Sequence, residues 1–269
     1  MPETFLILLA GGVMLAAAGA DPRQVTLHWL RLAGMIALVM AGISLFFYFR
    51  GDAGVVGSVI VRRVQVGLFI ATVVAILAQL AFVQVAWRRT QRVFAAAVFV
   101  LAVLAGSHVL HEMMTAIGTA VHVPPKPVSI ALQTLACAGV AGMTGLALMD
   151  MLLGHAYLTA SKMTIHPFRR LNLALAGVLL ARAVLAIPVV LLLHRRHPVE
   201  LLWGVHGLLI LTRWLVGLAV PAALVYMADD CIRRRSTQSA TGILYVAGVL
   251  VFIGEMIALY LVRATGLPF

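Results

Sequence analysis

The chain has 269 residues, of which 63% are hydrophobic and only 11% charged, with a mean hydropathy of +1.06. A soluble domain carries about 25% charged residues, so a water-soluble globular fold is excluded, and the weak alternating pattern of a membrane β-barrel is absent. The formal net charge of +11 does not point to nucleic acid, because Lys and Arg stand in short clusters between apolar runs: Arg62-Arg63, Arg88-Arg89, Arg169-Arg170, Arg195-Arg196 and Arg233-Arg234-Arg235. Topology signals and contacts to anionic lipid headgroups are distributed in that way.

The first apolar run, FLILLAGGVMLAAAGADP, follows Pro2-Glu3, with no Lys or Arg before Arg23. A signal peptide opens on basic residues, so this run is expected to be a retained helix over residues 3–20. Seven more runs follow, over 26–49, 64–86, 93–120, 129–157, 171–193, 201–227 and 240–262. A helix needs about 20 residues to cross the hydrocarbon core. The expected fold is all-α: one polytopic bundle of eight transmembrane helices, residues 1–269, with no internal repeat of its polar positions.

The connections are short and carry charge, Pro or Gly, as at Asp21-Pro22, Gly51-Asp52, Pro124-Pro125-Lys126-Pro127, His166-Pro167 and His197-Pro198. The first, third, fifth and seventh connections collect the larger share of Lys and Arg, including Arg88, Arg89, Arg92, Lys162, Arg169 and Arg170. By the positive-inside rule that side is cytoplasmic and both termini face outward, into the periplasm of an inner (cytoplasmic) membrane. The small residues Ala138, Gly139, Ala141, Gly142 and Gly145 of the fifth run suit close helix packing. In the string STQSATGILY, residues 236–245, a hydroxyl of Ser236, Thr237 or Ser239 suits the N-cap of the eighth helix.

Ionisable side chains inside apolar spans are costly unless paired or hydrated, so they mark the informative positions. Arg182 and Arg213 fall near the centres of the sixth and seventh runs, and Glu255 lies in the eighth. His108, His111 and Glu112 lie in the outer half of the fourth, His206 in the outer third of the seventh, and Asp150 and His155 toward the inner end of the fifth. At about 1.5 Å per residue, His111 stands roughly 27 Å and His206 roughly 31 Å from the inner ends of their helices. If the fourth and seventh helices touch, their imidazoles share one depth, with Arg213 and Glu255 beneath them.

These positions support a quinol or haem b site near the outer face. Quinol oxidation releases protons that histidine and carboxylate can accept. On this reading His108, His111 and His206 are ligands or proton acceptors, His111 and His206 the candidate haem-iron ligands, and Glu112 and Glu255 the proton exits. Arg182 and Arg213 are electrostatic anchors. A haem held between helices needs one imidazole from each and small neighbours, which Gly106, Gly204 and Gly207 supply. The chain would then be one subunit of an electron-transfer complex, with other membrane subunits and lipids as partners and no nucleic acid. A second reading is a transporter or channel for a small solute, proton or metal ion, its path lined by Arg182, Arg213 and Glu255, with Pro188 and Pro221 as helix breaks. In a third, the buried charges merely neutralise one another in a structural or assembly subunit. A membrane metalloenzyme is disfavoured: the residue four beyond His111 is Thr115, so no zincin motif is present.

In span count, topology and the position of His108, His111, Glu112 and His206, the chain resembles the membrane anchors of dimethyl-sulfoxide-reductase-type complexes. That resemblance implies eight helices, outward-facing termini, and a haem-free quinol site near the outer face built from histidine and acidic residues.

Overall fold

The computed structural model describes residues 2–21, 24–50, 59–120, 130–159, 164–196 and 206–265. Its helices are α1 (Pro2–Gly19), α2 (Leu27–Arg50), α3 (Val59–Gln84), α4 (Arg88–Ala120), α5 (Ile130–Thr159), α6 (His166–Arg196), α7 (Gly207–Arg233) and α8 (Thr237–Thr265). All eight are long and apolar enough to cross a membrane, and no strand occurs among the described residues. The chain is therefore an all-α polytopic membrane protein. Several helices outrun their apolar cores. For example, α4 begins at Arg88 rather than 93, and α6 at His166 rather than 171, because charged and polar residues prolong a helix into the headgroup layer without a desolvation cost. His166-Pro167 is thus a helix start, not a break, since proline's missing N–H has no intrahelical partner in a first turn.

The chain divides into two units, Met1–Gly145 and Leu146–Phe269. In the first, α1 packs on α2 and α4, and α3 packs on α4 and α2. Small residues bring the backbones together: a Cβ on Gly12 would fall on the Ala141 carbonyl, and one on Gly145 on the Gly12 backbone. The small-residue stripe of α5 is thus used for packing, as expected. A fully buried polar seam, Gln65, Thr72 and Gln79, runs down α3 at heptad spacing. The Gln65 amide donates to the Ala105 carbonyl of α4 (3.2 Å), and Gln133 of α5 donates to the Ser107 carbonyl (3.1 Å). In lipid, where water cannot compete, such interhelical bonds fix helix register.

In the second unit α7 packs on α8 and α6. Cβ atoms on Gly154 and Gly248 would reach Thr241 and Met151 respectively, so α5 lies on α8. The amide of Asn172 ties α6 to α7 by donating to the Val225 carbonyl (3.1 Å). The helix α6 runs unbroken through Pro188. In contrast, α7 contains a π-helical turn, Leu215–Ala219, just before Pro221. Pro221 has no N–H for the Gly217 carbonyl four residues back, and a wider turn relieves the clash between that carbonyl and the ring.

Both units share one connection. After α3, the Trp87 N–H donates to the Phe82 carbonyl and the Ala86 N–H to the Val83 carbonyl. After α7, the Ser236 N–H donates to Cys231 and the Arg235 N–H to Ile232. These are Schellman caps, and they place Ala86 (φ 58°) and Arg235 (φ 59°) in the left-handed region where glycine is usual. The units thus repeat in connectivity, with the third and fourth helices joined by the same turn and the first packed on the fourth, although their polar positions do not recur. Ser236 directs its hydroxyl to that of Ser239 (3.0 Å) at the start of α8, and Thr241 donates to the Thr237 carbonyl (2.7 Å).

Candidate functional site

Three helices of the second unit converge on one buried carboxylate. Arg182 of α6 donates through Nη2 to Glu255 Oε2 at 2.7 Å, and Arg213 of α7 through Nη2 to Glu255 Oε1 at 2.7 Å. Glu255 is fully buried, and both guanidinium groups are 2–3% exposed. The local backbone explains how such bulky ions fit. Gly217 and Gly254 meet backbone to backbone, and a Cβ on Gly217 would stand 2.7 Å from Gly254 Cα and 2.9 Å from Arg213 Nη1. The Gly217 carbonyl, which Pro221 cannot serve, accepts a long bond from Arg213 Nη1 (3.4 Å). The π turn, the glycine crossing and the ion cluster therefore form one local device. Two guanidinium groups thus share one buried carboxylate, in surroundings where a charge left without a partner costs several kcal/mol.

The sequence reading expects Arg182, Arg213, Glu255 and Glu112 to neutralise one another, or the first three to line a path; the structure brings Arg182, Arg213 and Glu255 together, and Glu112 stands beside His108 on α4. The other candidates stand on α4 of the first unit and at the start of α7 in the second. On α4, His108 Nδ1 stands 3.1 Å from Glu112 Oε1, one turn on, with side chains 30% and 21% exposed. His111 is half-buried beside them. His206 is half-buried at the N-cap of α7, and its Nδ1 is enclosed without a hydrogen-bond partner among the described residues. Because α4 and α7 belong to different units, the shared imidazole pocket stays an expectation. The space beside Gly106, expected to admit a flat macrocycle, is filled by Leu8 of α1: a Cβ there would stand 2.7 Å from Leu8 Cδ2. Gly204, His122, His197, Lys126 and Lys162 lie outside the described residues.

Sequence reading marks Asp150 only as an ionisable residue near a helix end. It proves to be fully buried, and neither carboxylate oxygen has a hydrogen-bond partner among the described residues. The Gln65–Thr72–Gln79 seam is also missed, although its heptad spacing inside an apolar run is a usable signal. Among the described residues no group of three or more His, Cys, Asp or Glu side chains could hold a metal ion.

No protein-family model, no curated protein and no solved structure matches this chain.

Proposed function

We propose that this chain is the membrane subunit of an electron-transfer complex in an energy-conserving inner membrane, and that quinol is oxidised beside His108 and Glu112. The observation that supports this reading is the 3.1 Å approach of His108 Nδ1 to Glu112 Oε1 on a half-exposed face of α4. A quinol dissolved in lipid can reach such a face. Its oxidation gives quinone, two protons and two electrons. The imidazole and the carboxylate accept the protons and pass them to water at the nearby end of the helix, while the electrons leave for a redox centre held by a partner subunit. An imidazole and a carboxylate side by side suit proton acceptance because each is a base that can hand a proton on to water. Quinone is preferred to haem b here because the space beside Gly106 is taken by Leu8.

The purified protein tests the choice. Quinone extracted in stoichiometric amount, and lost from His108→Ala, is the result expected. A Soret band abolished in His206→Ala would assign haem instead, and a protein holding neither would overturn the reading.

A second reading, transport of a small anionic solute, draws on the two buried guanidinium groups, of Arg182 and Arg213, that meet at Glu255 beside the irregular turn of α7. It expects thermal stabilisation by a permeant anion that is lost when Arg213 becomes Gln.

A further inference from the structure

At the α3–α4 turn the first unit has a cavity of about 600 Å³, lined by Asp21, Trp87, Arg88, Arg89, Thr90 and Arg92 among others. It owes its shape to the Schellman cap at Ala86, which turns the chain sharply and starts α4 at Arg88. Arg92 is already engaged: Nη2 donates to the Ala20 carbonyl at the end of α1 (2.7 Å) and lies 4.0 Å from Asp21 Oδ1. That contact pins α1 to α4 and largely offsets the acidic charge of Asp21. Among the described residues Arg88 and Arg89 have no such contact, and both are exposed in the cavity lining. The first-turn N–H groups of α4, at Arg88, Arg89 and Thr90, have no carbonyl to serve within the helix. Guanidinium forks, orphan N–H groups and the positive end of a helix dipole on one cavity wall recognise phosphate oxygens. Trp87, 58% exposed, is the residue type that anchors at a membrane interface.

We propose that this cavity is a seat for one phosphate group. The exposed Trp87 beside Arg88 and Arg89 is of the type that anchors at a membrane interface, which favours the phosphate of an anionic lipid headgroup over free phosphate. The seat differs from diffuse attraction between basic loops and anionic lipid in being stoichiometric and local to Arg88 and Arg89. It does not depend on the quinol reading, since it involves a different pair of residues at the other end of α4.

The test uses the full-length protein in nanodiscs of phosphatidylcholine with a minor fraction of phosphatidylglycerol, then native mass spectrometry after gentle release. One phosphatidylglycerol is expected to stay on the wild type and on Arg62→Gln/Arg63→Gln, a control with the same loss of charge away from the cavity. Retention should fall at least tenfold in Arg88→Gln/Arg89→Gln. Equal retention in all three proteins, or equal loss from both double variants, would overturn the proposal. In lipid-free micelles, inorganic phosphate separates the two sources. No shift in the thermal midpoint is expected with phosphate. An Arg88- and Arg89-dependent rise matching that produced by phosphatidylglycerol would assign the seat to free phosphate and overturn the lipid assignment.

Discussion

Gly217 of α7 lies directly against Gly254 of α8, one residue before the carboxylate that holds two buried arginines. Neither helix can move away without opening the ion cluster, and neither glycine can gain a methyl group without pushing on the other backbone or on Arg213. Gly217→Ala and Gly254→Ala are each expected to destabilise the protein by about 1–3 kcal/mol, the usual cost of overpacking. Gly242, beside which a Cβ would meet nothing within 4 Å, serves as the control. Thermal unfolding in detergent would read the difference, and a Gly217→Ala variant as stable as Gly242→Ala would refute this account of the crossing.

The cluster itself makes a second, sharper prediction. Glu255→Gln takes the shared carboxylate away from two buried guanidinium groups, and breaking a buried ion pair in that way costs about 3–5 kcal/mol. Removing all three charges together, as Arg182→Met, Arg213→Met and Glu255→Leu, takes the guanidinium groups away with their carboxylate and should cost less than the single change. If the triple variant unfolds more readily than Glu255→Gln, the cluster stabilises the fold beyond mutual neutralisation.

Turn chemistry supplies a third prediction. Ala86 occupies a left-handed conformation that disfavours an L side chain by about 1–2 kcal/mol, while glycine adds unfolded-state entropy that takes back about half of the gain. Ala86→Gly should therefore stabilise the protein by up to about 1 kcal/mol. A loss of stability in the same unfolding assay would contradict the φ of 58° at this position.

Much of the fold is legible from residue types alone. Eight apolar runs of sufficient length dictate eight spans, because lipid leaves a backbone no option but to satisfy itself within each helix. Arg182, Arg213 and Glu255 stand out for the same reason: a charge inside an apolar run needs a partner, and these three are one another's partners. Their exact pairing is not legible, since it depends on the rotation of three helices about their axes. The π turn is half visible in Pro221, but Pro188 carries the same sequence signal and leaves α6 regular. Ala86 and Arg235 give no local hint of a left-handed turn, as neither is Gly or Asn. Asp150 looks interfacial by position, yet it is fully buried.

The quinol reading rests on the face of α4 that carries His108 and Glu112, so conservative changes there should separate the proposed function from folding. His108→Gln and Glu112→Gln change polar groups that are only partly buried and should shift stability by less than about 1 kcal/mol. Each should nevertheless weaken quinol-analogue binding or turnover at least tenfold. A loss of stability that parallels the loss of binding would show that the pair supports the helix instead.

The most direct test of the central claim is equilibrium binding of a soluble short-chain quinol analogue to the purified protein, followed by quenching of intrinsic fluorescence, for wild type and His108→Gln side by side. The account predicts one saturable site in the wild type and its loss in the variant, with both proteins equally folded. Saturable binding that is identical in the two proteins, or no binding to either, would contradict it.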